Sequence, residues 1–395
     1  MIKNLKLPNY EDGSLVNLMS SIIHHFDGSS QYKPLKDLPL SQLEGVDNIV
    51  LILLDGLGYN FFTRNAKLLD YPIMEHLKAK LTSVFPSTTA AAMTTIYSGV
   101  APKNHGCLAW FTYLKEVGSI STIPPLKRRG SNDYITNKAL KANDILQIQS
   151  IFEKIPSIDS YFVISENLKD TPYDSVVSKG AKDVIGFSDF PDSMNQIMNI
   201  LRGNEGSKKF ILHYWDGIDS KSHLDGTEKA IPHFKEILEE IVQLSQKTKT
   251  LDSKTVIIIT ADHGLIDIPK DHIIRLKDHP KLEETLILPL CGESRAAFCF
   301  VRAPYREQFE SYVVKELKEF CIMFKMQDLI DKEMFGLYDA HPRFRYRVPD
   351  YLLLMRENYM IKDKMLKEVR IRMKAVHGGL SEEELYVPLI VFKNK

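Results

Sequence analysis

The chain has 395 residues, and its 51 lysines and arginines balance 51 aspartates and glutamates. This neutral balance does not favour a surface for a nucleic-acid polymer, and the 44% hydrophobic content is that of a globular protein. No apolar run approaches the roughly 18 residues of a membrane helix, and the N-terminus lacks the apolar core of a secretion signal. The four cysteines form no CxxC pair, so we expect a cytoplasmic protein with neither disulfides nor a membrane anchor.

Short, nearly continuous apolar runs predict buried parallel strands, as in a sheet that helices cover on both faces. The runs are Asn48–Leu54, Tyr161–Ser165, Lys209–Trp215, Thr255–Thr260, Ala296–Val301 and Asp350–Met355. Helical patterns lie between them, for example over Thr227–Lys249 and Tyr305–Cys321. The alternation predicts one doubly wound α/β domain over residues 1–395, with a mostly parallel central sheet.

Two regions, at about 107–142 and 268–289, have no regular pattern and predict loops or small caps over the sheet. The first contains "KRRG", which is either a patch that attracts phosphate or, as we favour, a solvated loop. The last apolar run, "YVPLIVF", includes Pro388. Because proline has no N–H for a sheet ladder, we expect this run to be an edge strand.

Acidic residues follow three of the predicted strands, at the edge where sites form in open α/β sheets. They are Asp55, Asp262 and, in the loop after Lys209–Trp215, Asp219 or its competitor Asp216, which lies nearer the strand end. Taken singly, each has a structural explanation, and Asp55 in particular could be a helix N-cap. Three clustered carboxylates repel one another unless a cation lies among them, so the set predicts a metal site.

Histidines accompany two of these aspartates. Asp219 and His223 are four residues apart, which places them on one face of a helix. Neighbours on a strand point to opposite faces, so Asp262 and His263 converge only if the strand ends in a turn, which Gly264 permits.

The C-terminal segment "HGGLSEEELYVPLIVF" supplies a further ligand for a second metal. His377 precedes two glycines, which suit a tight loop. Ser381 and Glu384 then fit a capping box at the start of a short helix.

A candidate nucleophile lies in "SVFPSTTAAAMTTIYSGV", where Thr88 and Thr89 precede a run of helix-forming residues. Free N–H groups and the helix dipole favour an anion at such a position. An ordinary threonine N-cap is the structural alternative. Beside a metal cluster, however, a threonine here is suited to act as a nucleophile.

These segments together resemble the alkaline phosphatase superfamily, and within it the type I phosphodiesterase/nucleotide pyrophosphatase family. "LILLDGLG", "FPSTTAAAMTTIYSG", "DSKSHLDG", "TADHG" and "HGGLSEEELYVPLIV" occur in the order of that family. The resemblance implies that Thr89, ten residues before Gly99, is the nucleophile. It also implies two metal sites, with the ligand sets Asp55, Thr89, Asp262 and His263 for one and Asp219, His223 and His377 for the other.

The resemblance therefore implies a metal-dependent hydrolase that cleaves phosphodiester or pyrophosphate bonds of a small-molecule phosphoester. Mixed aspartate and histidine ligands suit Zn²⁺, and Mn²⁺ or Fe fits nearly as well. A phosphomonoesterase, sulfatase or phosphonate hydrolase with the same site remains an alternative, as do a phosphomutase-type transferase and an inactive binding protein. No lysine or arginine adjoins Thr89 in the sequence, which favours diesters over monoesters.

Overall fold

The structure is a computed structural model that describes residues 5–68, 71–203, 206–366, 368 and 372–394. Its strands are β1 (Asn48–Leu54), β2 (Leu77–Thr82), β3 (Phe111–Leu114), β4 (Ser119–Thr122), β5 (Lys127–Arg128), β6 (Asp159–Ser165), β7 (Asp183–Phe187), β8 (Lys209–Trp215), β9 (Thr255–Thr260), β10 (Ile266–Asp267), β11 (Ile273–Arg275), β12 (Cys291–Gly292), β13 (Ala296–Cys299), β14 (Cys321–Lys325), β15 (Tyr351–Met355), β16 (Met360–Lys362), β17 (Ala375–Val376) and β18 (Tyr386–Lys393).

The α-helices are α1 (Leu15–His25), α2 (Tyr59–Asn65), α3 (Thr89–Ser98), α4 (Pro102–His105), α5 (Ala142–Leu146), α6 (Ile151–Lys154), α7 (Asp174–Val177), α8 (Phe190–Arg202), α9 (Gly217–Asp225), α10 (Ile231–Thr248), α11 (Pro280–Glu283), α12 (Arg306–Tyr312), α13 (Met326–Asp331), α14 (Phe344–Arg347) and α15 (Glu382–Leu385). Short 3₁₀ segments precede α10 and α12, and a π-helical turn, Val313–Leu317, continues α12. Within the described ranges, no helix is both long and apolar enough to cross a membrane.

The central sheet contains, among the described residues, seven strands in the order β2-β18-β9-β1-β8-β6-β7. β1 lies parallel to β8 and β9, β6 lies parallel to β7 and β8, and β18 runs antiparallel to its two neighbours. Every residue of β1 and β9 is buried, as the continuous apolar runs predict. The α/β fold with a mostly parallel central sheet is therefore confirmed.

Helices cover both faces of this sheet, as two side chains of β8 show. The Phe210 ring lies near Phe26, directly after α1, and Phe152 of α6, with centroid distances of 6.3 and 6.2 Å. Three residues further along, His213 points to the opposite face. There its ring lies 5.7 Å from that of Phe190, the first residue of α8.

Two of the six strands predicted to be parallel, β13 and β15, instead lie antiparallel in a second sheet. Its order in the described chain is β14-β15-β13-β12-β3-β4-β5, and β13 pairs antiparallel with β15. Alternate residues of β13 enter two different apolar clusters: Ala296 and Phe298 one, and Ala297 and Cys299 the other. A strand buried on both faces reads as one apolar run whatever its direction, so the run at Ala296–Val301 could not reveal the antiparallel pairing.

The two regions predicted to be irregular differ from each other. Residues 107–142 supply β3, β4 and β5 to the second sheet, whereas 268–289 contain only short elements. Arg129 of "KRRG" is neither solvated nor available for phosphate. It is buried, and its guanidinium lies 2.5 Å from Asp363 and 3.1 Å from Glu368.

The expectation that the last strand lies on an edge is wrong, because β18 lies between β2 and β9. Pro388 is opposite Lys80 of β2, whereas the pairing with β9 begins only at Ile390. The missing N–H of proline therefore removes no bond to β9, so this position of an interior strand accepts proline.

A buried ion pair joins the second sheet to the segment that carries His377. Glu384 lies in α15 and accepts hydrogen bonds from Arg295 at 3.0 and 3.1 Å, from Gly379 N–H at 2.8 Å and from the Ser381 hydroxyl at 2.6 Å. α15 does begin after Ser381, but the predicted capping box is wrong. The Glu384 carboxylate instead binds Arg295 and shapes the glycine loop.

Replacing Glu384 by glutamine should lower the free energy of unfolding by about 3–5 kcal/mol, because Arg295 would be left buried with its charge uncompensated. Urea unfolding of the purified variant measures this. The matched control is Glu383→Gln, whose partner Arg64 is 62% exposed, so a change within about 1 kcal/mol is expected. Equal effects of the two substitutions would contradict a structural role for the buried pair.

Candidate active site

Three neighbouring strands, β8, β1 and β9, end at one edge of the central sheet, and backbone bonds hold the residues that follow them together. Asp55 N–H donates to the Trp215 carbonyl at 2.8 Å, and Asp219 N–H donates to the Asp55 carbonyl at 3.1 Å. Gly56 N–H donates to Asp262 Oδ1 at 3.2 Å. The three aspartates from three separate chain segments therefore surround one small volume.

The turn after β1 requires a glycine. Gly56 has a φ of +77°, and a Cβ there would lie 2.5 Å from Leu265 Cδ1 and 3.1 Å from the Asp219 backbone. The next helix, α2, begins at Tyr59 with Gly58 as its N-cap. Asp55 is therefore not a helix N-cap, which removes its structural explanation.

One group of potential metal ligands consists of Asp55, Asp262 and His263, whose ligand atoms all lie within 4.8 Å of one another. His263 Nδ1 lies 3.1 Å from the Gly264 carbonyl, so this nitrogen carries the proton. His263 Nε2 then presents its lone pair to the carboxylates, 3.2 Å from Asp262 Oδ2 and 3.6 Å from Asp55 Oδ1. Metal-binding histidines adopt this orientation.

A second group consists of Asp219, His263 and His377, again with ligand atoms within 4.8 Å. The helix α9 places Asp219 and His223 one turn apart, as predicted, with 3.2 Å between Asp219 Oδ2 and His223 Nε2. His223 Nδ1 lies 2.7 Å from the Ala375 carbonyl. The geometry differs from the predicted division in two respects. His263 stacks on His377 at 3.8 Å and belongs to both groups, whereas His223 contacts Asp219 but belongs to neither.

The carboxyls of the first group destabilise each other's charge. Burial, and then the charges of Asp262 and Asp219, raise the pKa of Asp55 well above its usual range. Burial also raises the pKa of Asp262, although the neighbouring His263 opposes this. Both groups would ionise readily only with a cation beside them.

In the second group, neighbouring histidines favour the ionised form of the aspartate. Burial alone would raise the pKa of Asp219, but His223, followed by His377 and His263, brings it down to about 2. Burial and the neighbouring His263 hold the pKa of His377 well below its usual range. An ionised aspartate and a neutral imidazole are the protonation states that bind a metal.

Four buried atoms of this cluster have no hydrogen-bond partner among the described residues. They are Asp55 Oδ1, Asp219 Oδ1, Asp262 Oδ2 and His377 Nδ1. A buried polar atom without a partner is costly, and native proteins rarely leave several together. Oxygen and imidazole nitrogen atoms that share one volume fit a divalent cation.

Thr89 is the first residue of α3, next to this cluster. Its Oγ1 lies 3.0 Å from His263 Nε2 and 3.5 Å from Asp55 Oδ2. Thr89 is partly exposed, whereas its neighbours Thr88 and Ala90 are buried. Thr88 occupies the N-cap position but its side chain makes no capping bond. Of the two threonines, Thr89 alone presents an accessible hydroxyl to the cluster.

Two residues of the site had no signal in the sequence. Tyr214, within β8, donates its hydroxyl proton to Asp55 Oδ2 at 2.5 Å. Glu293, between β12 and β13, accepts a hydrogen bond from Trp110 N–H at 2.6 Å. After Asp219, it is one of the residues whose negative charge favours a higher pKa of His223. In the sequence, Tyr214 is one of several apolar residues of a strand and cannot be told from its neighbours. Glu293 belongs to the second sheet, far from every motif of the site.

Buried carboxylates and imidazoles at the strand ends, beside a partly exposed threonine hydroxyl at a helix N-terminus, fit the class of phosphoric ester hydrolases. The sequence comparison makes the assignment more specific. A family model described as type I phosphodiesterase/nucleotide pyrophosphatase matches residues 49–380, which is most of the chain. The chain belongs to this family and is an enzyme, as the resemblance implied.

Solved structures share the fold at low sequence identity. Murine ectonucleotide pyrophosphatase/phosphodiesterase 5 has a TM-score of 0.63 and 14% identity, over 86% of this chain and 87% of that one. An inactive threonine-to-alanine variant of the murine protein was solved with AMP. Phosphonoacetate hydrolase from Sinorhizobium meliloti 1021, solved with phosphonoformate, has a TM-score of 0.61 and 17% identity, over 88% and 90%. No curated protein matches the chain in sequence.

Replacing Asp262 by asparagine should stabilise the metal-free protein by about 1–2 kcal/mol, because it removes one of the repelling buried charges. Urea unfolding after treatment with a chelator measures this. An exposed aspartate, Asp271, provides the control, and Asp271→Asn should change stability by less than about 0.5 kcal/mol. A destabilised metal-free Asp262→Asn protein would show that the carboxylate is needed for folding rather than for a ligand.

Proposed function

We propose that the enzyme cleaves phosphodiester or pyrophosphate bonds of a small-molecule phosphoester, with Thr89 as its nucleophile and two divalent metal ions. The proposal rests above all on one observation. Thr89 Oγ1 lies within 3.5 Å of both His263 and Asp55 at the start of α3. The AMP-bound threonine variant of the murine relative, described as inactive, supports it.

The ligands proposed for the two ions are the sets that the family resemblance implies, which add Thr89 and His223 to members of the two groups. Asp55, Thr89, Asp262 and His263 would hold one ion, and Asp219, His223 and His377 the other. Mixed carboxylate and imidazole ligands suit Zn²⁺ best, with Mn²⁺ or Fe as alternatives. When bound, the ions would lower the pKa of the Thr89 hydroxyl and stabilise charge on the phosphoryl oxygens.

The residues of the chain have distinct tasks in the reaction. Thr89 Oγ1 attacks phosphorus, forming an O–P bond while the bond to the leaving oxygen breaks. The N–H groups in the first turn of α3, which a helix leaves unpaired, would stabilise the negative charge of the phosphoryl oxygens. Water then attacks the phosphorus of the ester formed on Thr89, and a new O–P bond forms while the bond from Thr89 Oγ1 to phosphorus breaks. The phosphate or phosphoester product leaves, and Thr89 regains its hydroxyl proton.

Supporting contacts keep the nucleophile and its neighbours in place. The Tyr214 hydroxyl bonds to Asp55 Oδ2 and fixes the orientation of that carboxylate. The Gly264 carbonyl holds the His263 ring with Nε2 towards Thr89. The Ala375 carbonyl does the same for His223, leaving Nε2 towards Asp219.

Phosphonate hydrolysis is a second candidate, favoured by the similarity to phosphonoacetate hydrolase. The discriminating experiment is a panel of substrates with Zn²⁺ or Mn²⁺ added. Phosphonoacetate, a nucleotide pyrophosphate and aryl phosphodiesters should be compared at equal concentration. We expect the diesters and the pyrophosphate to be turned over, and turnover of phosphonoacetate alone would instead assign the second candidate.

Replacing Thr89 by alanine should reduce kcat by about 10³-fold or more, because the covalent route is lost. Thr89→Ser retains the oxygen and should keep kcat within about tenfold of the unmodified enzyme. Quenching during turnover, followed by mass spectrometry of the peptides, should detect phosphate or phosphoester on Thr89. Thr88→Ala is the matched control and should be much milder, because the Thr88 hydroxyl is buried. Phosphorylation of Thr88, or full activity of Thr89→Ala, would contradict the assignment.

Elemental analysis of the purified enzyme should detect about two divalent ions per chain, and removing them with a chelator should abolish turnover. His377→Ala should weaken the binding of one ion, and excess metal should partly restore activity. His105→Ala provides a comparison, because His105 is a buried histidine bonded to Thr95 outside both ligand groups, and it should retain the full metal content. Unaltered metal content and turnover in His377→Ala would contradict the assignment of the second site.

A further inference from the structure

The turn between β12 and β13 carries a carboxyl group to the active site. Trp110 N–H donates to Glu293 Oε1 at 2.6 Å. A Cβ added at Gly378 would lie 2.5 Å from Glu293 Cβ and 2.7 Å from its Cγ, so the side chain packs against the residue that follows His377. Glu293 is partly exposed. The Glu293 side chain thus adjoins the second ligand group.

Contacts between side chains connect Glu293 to the proposed nucleophile. His377, which precedes Gly378, stacks on His263 with 3.8 Å between the ring centroids, and His263 Nε2 lies 3.0 Å from Thr89 Oγ1. Two imidazole rings therefore span the space between the residue on which Glu293 packs and the Thr89 hydroxyl. A substrate phosphoryl group held at Thr89 would have Glu293 nearby.

The charges around this position are unusual for a site that binds phosphate. In the described part of the chain, the ion pairs of Asp55, Asp219 and Asp262 are with His223 or His263, and no lysine or arginine nitrogen lies within 4.0 Å of these carboxylates or of Glu293. A monoester carries a second negative charge near neutral pH, since its second pKa is about 6, and an uncompensated carboxylate repels it.

We propose that Glu293 determines the preference for phosphodiesters over phosphomonoesters, because it places a carboxyl group where the extra charged oxygen of a monoester needs a cationic partner. This assignment rests on the proposed function and specifies its substrate class. A diester has an ester substituent in place of that oxygen and carries a single negative charge. It therefore meets less repulsion from Glu293 than a monoester does.

A purely structural role for Glu293 predicts different results. Its bond to Trp110 requires only an acceptor oxygen, which glutamine also has. Glu293→Gln therefore keeps the bond and the volume but removes the charge. Glu293→Ser removes the charge with a smaller side chain, and Glu293→Asp keeps the charge. If the charge is what matters, glutamine and serine should act alike and aspartate should resemble the unmodified enzyme.

The test compares kcat/KM for methyl 4-nitrophenyl phosphate and 4-nitrophenyl phosphate, which share a leaving group and differ by one charge. In the metal-loaded enzyme, Glu293→Gln and Glu293→Ser should raise the monoester-to-diester ratio on the order of tenfold. Glu293→Asp should leave the ratio near its original value even if both rates fall. Glu310→Gln, at a carboxylate bonded to Tyr351 in the second sheet, is the matched control and should change neither rate.

A binding measurement removes turnover from the comparison. Inorganic phosphate is titrated calorimetrically into metal-loaded Thr89→Ala protein with and without Glu293→Gln. Loss of the carboxylate should tighten phosphate binding about tenfold. Dimethyl phosphate, which carries one charge, should bind with a smaller change.

Two failures are distinguishable. An unchanged ester ratio and unchanged phosphate affinity in folded, active Glu293→Gln or Glu293→Ser would overturn the role of Glu293 and leave the proposed function in place. Absence of turnover of both esters by the unmodified, metal-loaded enzyme would overturn the proposed function and this assignment with it. A ratio that rises equally in Glu293→Asp would assign the effect to shape and overturn the charge mechanism.

Discussion

Mutual repulsion among buried carboxylates at one edge of the central sheet is the constraint on which the rest of the site depends. Hydrogen bonds from backbone N–H groups hold Asp55, Asp219 and Asp262 together, two of them to carbonyls and one to the Asp262 carboxylate. Tyr214 and the histidines satisfy part of their polar atoms, but each aspartate retains one oxygen without a partner among the described residues. A cation is the simplest partner for such atoms, and its binding would reverse the repulsion.

The second sheet has a direct part in the site, although it supplies none of the candidate metal ligands. A single turn after β12 carries both Glu293, which reaches the site, and Arg295, which binds Glu384. Glu384 in turn bonds to Gly379 N–H, two residues after His377. Packing between the two sheets therefore positions a residue of the proposed second metal site and the carboxyl group proposed to select the substrate.

The groups proposed for the chemistry and the residue proposed for substrate choice come from different parts of the fold. The groups proposed for phosphoryl transfer lie at the strand ends of the central sheet and at the start of α3, as sites do in open α/β folds. Glu293, the residue proposed to select the substrate, comes from the second sheet and is held there by Trp110 N–H. Relatives with 14–17% identity share the fold and were solved with AMP or with a phosphonate, which illustrates that one scaffold serves different phosphoryl compounds.

Local sequence determined the strands and their acidic ends. Asn48–Leu54, Lys209–Trp215 and Thr255–Thr260 have the predicted bounds, because a strand buried on both faces is one uninterrupted apolar run that ends where polar residues begin. The spacing of Asp219 and His223 likewise needs only one helical turn. Long-range pairing decided the rest: the antiparallel direction of β13, the interior place of β18 and the arrival of Glu293 beside His223. These depend on contacts between residues far apart in the chain, for which a single sequence contains no periodic signal.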